Sequence, residues 1–274
     1  MSKNLLFNIV ITITVSYIGF CLFMYKQQYL LLYQPKTEKI SPDQVDAKNI
    51  KIIKVRTSDN IVLEGWYFSP QEENMKTIVY FHGNGWVIGD GYQNVKYLLD
   101  NGYGLLMVEY RGYSGNKGKI SEQRLYKDSR AFIDWLHNNK NIPYNSMIFY
   151  GESLGSALAI KMASEYNPYS VILFSAFSSM LDLAWERYPY IPVNILLKDQ
   201  YRNDLIISKI KSPILFLHGQ KDKLVPIKYG RKLFEKANKS KEMKIYEYGS
   251  HTNLYSLGAI EDIISFLNKT FKDE

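Results

Sequence analysis

The feature that most narrows the possible folds is an alternation. Short apolar runs rich in β-branched and aromatic residues occur at 77–81, 105–110, 147–150, 171–175, 213–217 and 243–248. Helix-compatible stretches lie between and after them, at 92–101, 121–139, 154–166, 227–237 and 253–268. Apolar runs without polar alternation suit strands buried on both faces, and parallel strands need crossover helices. The pattern therefore predicts an α/β fold with a mostly parallel central sheet flanked by helices. Upstream, 50–57 and 61–69 read as a hairpin around Ser58-Asp59-Asn60. One stretch does not fit the alternation: 176–205 is aromatic and Pro-interrupted (Phe177, Trp185, Tyr188, Pro189, Tyr190, Pro192) and reads as a short cap over the sheet.

Composition supports a single large domain. The chain has 274 residues, 46% hydrophobic and 22% charged, which is enough for a full core and excludes disordered and collagen-like classes. The lone cysteine, Cys21, excludes an intrachain disulfide. His82, His137, His218 and His251 are too dispersed for a zinc motif, so no metal or other cofactor is expected. Lys and Arg (34) exceed Asp and Glu (27) by a net +7, but the basic clusters at 36–39 and 239–244 are interrupted. This balance reads as a Lys-rich solvated surface, not a nucleic-acid face.

The N-terminus stands apart. Residues 5–25 carry no charge and are closed by Lys3 and Lys26. As a helix they span roughly 31 Å, enough for a bilayer core. A cleaved signal peptide is the rival reading, as is a soluble core helix. Against the signal, the run is long and Tyr25-Lys26-Gln27-Gln28 offers no small-x-small site. The expectation is an uncleaved, single-pass transmembrane anchor at 5–25, followed by the α/β domain at 26–274. Lys3 before the segment and Lys26, Lys36 and Lys39 after it lean toward a cytoplasmic placement of that domain.

Chemistry in an open α/β sheet gathers at the carboxyl ends of the strands. The run at 147–150 ends in Gly151-Glu152-Ser153-Leu154-Gly155, a G-x-S-x-G nucleophile elbow, and a helix of small residues follows. A serine needs a base and an orienting acid. Asp222 lies in the loop after 213–217 and His251 in the loop after 243–248. The chain order Ser153, Asp222, His251 is that of α/β hydrolases and differs from the chymotrypsin and subtilisin orders. His251 would accept the Ser153 proton, and Asp222 would hold its tautomer.

An oxyanion hole needs two backbone donors. Leu154 offers one N–H; the loop His82-Gly83-Asn84-Gly85-Trp86 offers the other, from Asn84 with Gly85 as fallback. A dinucleotide fingerprint fails here, because Ile88 stands where its third glycine should be. His82 is expected to brace this loop, His218 to pack beside the acid loop, and His137 to be a solvated residue at a helix end.

With these residues in view, the sequence resembles the serine-aminopeptidase-like branch of the α/β hydrolases, which includes membrane-anchored, depalmitoylase-like proteins. The likeness covers nearly the whole chain and also rests on Leu31-Leu32-Tyr33-Gln34-Pro35, Tyr110-Arg111-Gly112-Tyr113-Ser114-Gly115, Asp222 to Pro226 and Gly249-Ser250-His251. It implies an N-terminal anchor and esterase activity more often than peptidase activity. Two departures, 114–118 after Arg111 and the bulky Trp86, imply a reshaped acyl pocket. The expected function is a membrane-anchored serine hydrolase cleaving an ester or thioester through an acyl-enzyme, with lipid-derived esters among the candidate substrates. A serine peptidase of the same fold and a non-catalytic scaffold remain the alternatives.

Overall fold

The computed structural model describes residues 2–72 and 74–272. Eight strands form one sheet: β1 (Lys51–Arg56), β2 (Val62–Phe68), β3 (Thr77–Phe81), β4 (Gly104–Val108), β5 (Met147–Glu152), β6 (Ser170–Phe174), β7 (Ile214–Gly219) and β8 (Lys241–Tyr246), in the order β1-β2-β4-β3-β5-β6-β7-β8. β2 runs antiparallel to both β1 and β4, and every other pairing is parallel. The six predicted parallel strands and the hairpin thus form one sheet. Strands β3 to β7 are buried along their whole length, as continuous apolar runs require, whereas the edge strand β1 exposes Lys51, Lys54 and Arg56.

Helices α1 (Lys3–Leu32), α2 (Ile88–Asp100), α3 (Glu122–Lys140), α4 (Leu154–Tyr166), α5 (Met180–Arg187), α6 (Val193–Leu196), α7 (Ile227–Lys236) and α8 (Ala259–Lys272) complete the chain. The core divides into two clusters, one on each face of the sheet. One contains α3 and α4 residues such as Phe132, Leu136 and Leu158; the other contains α2 and α8 residues such as Val95, Leu98, Ile263 and Leu267.

Three helices differ from the sequence reading by four residues or more, while strand ends shift by one or two. Helix α2 begins at Ile88, four residues before the expected start at 92. Gly89 and Gly91 look like loop residues, but a Cβ on either would lie 2.5 Å from Ile40 or 2.6 Å from Tyr80, so close packing selects them. The expected helix 253–268 is divided by Gly258 (φ 98°) into a short 3₁₀ turn and α8. Helix α1 continues past Tyr25 to Leu32, an extent of about 45 Å. It is the one described helix long and apolar enough to cross a membrane.

Candidate active site

Ser153 sits between β5 and α4, at the centre of the sheet's carboxyl edge. The backbone there turns so sharply that Ser153 adopts φ 50° and ψ −114°, a sparsely populated conformation costing on the order of 1–3 kcal/mol. The flanking glycines make the turn possible. A Cβ on Gly155 would lie 2.0 Å from the Phe81 carbonyl oxygen, and one on Gly151 would lie 2.3 Å from that of Gly155. Elsewhere the turn is tied down by Ser153 N–H donating to the Phe174 carbonyl at 2.9 Å.

The loops after β7 and β8 bring Asp222 and His251 to this serine. His251 Nε2 is 3.0 Å from Ser153 Oγ, and His251 Nδ1 is 2.8 Å from Asp222 Oδ2. The other carboxylate oxygen, Asp222 Oδ1, accepts from the backbone N–H groups of Leu224 (2.9 Å) and Val225 (2.8 Å). Burial opposes the charge on Asp222, but the hydrogen bond and charge of His251, with the Val225 N–H, outweigh it. The carboxyl is held below the usual carboxylate range. An Asp222 anion fixed by three donors leaves His251 Nδ1 as a donor and Nε2 free to accept the serine proton.

The loop after β3 lies against the serine from the other side. A Cβ on Gly83 would stand 3.6 Å from Ser153 Cβ, which puts this backbone next to the serine. The Asn84 side chain faces away from it: Nδ2 donates to the Leu32 carbonyl (2.9 Å), and Oδ1 accepts from Gln34 N–H (3.0 Å) and the Tyr113 hydroxyl (2.8 Å). Asn84 therefore clamps this loop to the end of α1. His82 is fully buried, with Nδ1 2.9 Å from the Gly83 carbonyl and Nε2 2.8 Å from Glu109, and it stacks on Tyr110 at 4.0 Å. It braces the loop and is occupied on both nitrogens. His218 is buried beside the acid loop; Nε2 is 2.9 Å from the Val225 carbonyl, and burial holds its basicity down. His137 corrects the sequence reading: it is half-buried, 3.0 Å from the Ile142 carbonyl and stacked on Tyr144 at 4.2 Å.

Sequence reasoning missed the floor of the site. Glu152, beside Ser153, points beneath it into a nest of tyrosines and accepts from the Tyr255 hydroxyl. Burial raises its carboxyl to about 7, with Tyr255 and Tyr80 restraining the rise. The signal available in sequence was the paired Tyr80 and Tyr150, which lie in register across β3 and β5. Above the serine is a cavity of about 740 Å³, walled by the cap (Phe177, Met180, Ile191), by Trp86, and by Met24 and Leu31 of α1. Among the described residues no three or more His, Cys, Asp or Glu gather as a metal site would need.

Strand order, elbow and strand-end loops together define an α/β hydrolase. Residues 72–198 and 204–256 match the family described as serine aminopeptidase, S33, and the chain belongs to that family. It is 29% identical over 239 residues to an uncharacterized Mycobacterium tuberculosis protein, Rv2307c, covering 86% of this chain and 84% of that one. It is also 29% identical over 215 residues to the human protein ABHD12B, covering 69% of this chain and 59% of that one. Among solved structures, the Pyrococcus furiosus esterase Pf2001 superposes with a TM-score of 0.69 at 18% identity, over 88% of this chain and 99% of that one. At that identity the likeness concerns the fold.

Proposed function

We propose that this hydrolase is a membrane-anchored serine esterase or thioesterase, with Ser153 as nucleophile, His251 as general base and Asp222 as its orienting acid. The observation that carries the reading is the continuous relay from Ser153 Oγ through His251 to Asp222 at the floor of an apolar cavity. As Ser153 Oγ attacks the acyl carbon, His251 Nε2 takes its proton and Asp222 stabilises the imidazolium. The oxyanion forms beside the backbone N–H of Leu154 and that of Asn84, near the positive end of α4. His251 then returns the proton to the leaving alcohol or thiol. Water, deprotonated by the same His251, hydrolyses the acyl-enzyme. The strained φ of Ser153 keeps its hydroxyl above the sheet without reorganisation during the reaction.

The family description raises a peptidase as the second reading. The cavity favours the ester: Met24, Leu31, Phe177, Met180, Leu183 and Ile191 offer apolar walls, and 740 Å³ suits a mid-length acyl group. Helix α1 supports the anchor by its length and composition. Labelling with a fluorophosphonate probe tests the nucleophile. Wild-type protein is expected to be labelled and Ser153→Ala not; equal labelling of the two would reject Ser153.

A further inference from the structure

Helix α1 and the cap are held together along an unusual length. Tyr17 donates through its hydroxyl to the Tyr190 carbonyl at 2.8 Å. Cys21 is the buried residue of α1. Gln28 donates through Nε2 to the Leu196 carbonyl at 3.2 Å and accepts from Lys198 N–H through Oε1 at 2.8 Å, and Lys198 Nζ lies 4.1 Å from the Tyr25 ring centre. Residues 17, 21, 24 and 28 fall on one stripe of a helix. From Tyr17 to Gln28 the shared seam is about 16 Å long. The cap runs along it from Tyr190, opposite the middle of the uncharged segment, to Lys198, opposite its end.

That seam fixes a depth. If residues 5–25 cross a bilayer, Tyr17 stands about 12 Å further into it than Tyr25. The Tyr17–Tyr190 hydrogen bond carries the tip of the cap to the same level. Large apolar residues are exposed there, Tyr190 by 86%, Ile195 by 77% and Trp185 by 45%; Arg187 and Asn194 are exposed among them, and Glu186 is turned to Lys228 of α7 at 2.9 Å. In water such a cluster would be a liability, whereas against hydrocarbon it is the expected surface. The charge of Lys198 lies at the level where the uncharged segment ends, as a headgroup-level residue does. Between cap and helix opens the cavity over Ser153, with Met24 and Leu31 as its α1 wall.

We infer that the cap descends into the bilayer beside α1, and that the cavity between them receives the acyl chain of a membrane-resident ester or thioester directly from the lipid. The anchor is then a wall of the acyl pocket as well as a tether. This inference rests on the hydrolase reading for its substrate, but the position of the cap can be measured without turnover.

The test uses the full chain in phosphatidylcholine vesicles. An environment-sensitive fluorophore is attached at Ile195→Cys in a Cys21→Ser background and, as control, at Lys239→Cys, which lies just before β8 at the opposite end of the sheet. Doxyl-labelled lipid should quench the first label at least severalfold and leave the second unchanged; an unquenched label at 195 overturns the proposal. In parallel, Tyr190→Asp with Ile195→Asp should slow hydrolysis of a palmitoyl ester embedded in the vesicles at least tenfold, while leaving p-nitrophenyl acetate hydrolysis unchanged. Equal slowing of both esters, or of neither, argues against lipid entry. If acetate hydrolysis instead survives Ser153→Ala, the hydrolase reading fails while the quenching result stands by itself.

Discussion

The floor and the roof of the cavity are built on opposite principles. Below, Ser153, His251 and Asp222 hang from the ends of β5, β8 and β7, and nearly every polar atom around them is hydrogen-bonded into the sheet or its loops. Above, α1 and the cap meet through a few hydrogen bonds and present exposed apolar side chains. Proton transfer tolerates little displacement, so its groups are fixed by backbone geometry. The acyl chain of the proposed substrate would be bound by apolar area, which needs less exact placement. Chemistry and selectivity should therefore be separable by substitution.

The largest expected effect tests the floor. Ser153→Ala or His251→Ala should each lower kcat at least roughly 10³-fold, about 4 kcal/mol, with the unfolding midpoint nearly unchanged. Hydrolysis of a p-nitrophenyl ester and thermal denaturation, measured on the same samples, check both halves. Retained turnover would dissolve the distinction between the two regions.

Next comes Glu152, the buried carboxyl under Ser153. Its folded-state pKa of about 7 lies above the ordinary value of 4.5, so the folded state binds more protons than the unfolded state between these limits. Stability from this group is therefore lost as pH rises from 4.5 through 7, and the penalty is complete above 7. Glu152→Gln should remove up to about 3 kcal/mol of that penalty at pH 8 and change little at pH 4. Urea midpoints of wild type and variant at the two pH values give the comparison. Parallel pH profiles would mean that the tyrosine nest accommodates the charge.

The smallest effect probes the joint between the regions. Asn84→Ala frees the Leu32 carbonyl, Gln34 N–H and Tyr113 hydroxyl. The loosened loop should lower kcat for p-nitrophenyl acetate roughly tenfold, about 1.4 kcal/mol of transition-state stabilisation, with KM little changed. An unaltered kcat would show that the loop keeps its register without α1.

The sequence was legible where function depends on local backbone rules. The elbow, the strand ends bearing Asp222 and His251, and the alternation of strands and helices all follow from short-range patterns, and Leu154–Tyr166 is a helix over the very residues expected. What was not legible depends on residues distant in the chain. Gly89 and Gly91 look like loop until Ile40 and Tyr80 are seen against them. The side chain of Asn84 gave no hint that it would bind α1, some fifty positions earlier. Helix α1 read as an isolated tether because its partners Tyr190 and Leu196 come late in the sequence. The Glu152 carboxyl becomes unusual only once Tyr255, a residue of the chain's last helical region, closes over it.

The two rims of the sheet carry a further consequence. β1 presents Lys51, Lys54 and Arg56, and β8 at the other rim carries Lys241 and Lys244. An open strand edge is a template on which another chain can pair, and spaced cations disfavour that addition. If α1 anchors the protein as proposed, confinement to a membrane plane raises the frequency of encounters between copies, and with it the hazard of edge-to-edge aggregation. The exposed cations of β1 disfavour such pairing at that rim, whereas at the other rim Lys244 is paired with Asp262 and Lys241 caps the carbonyls of Phe234 and Ala237 at the end of α7.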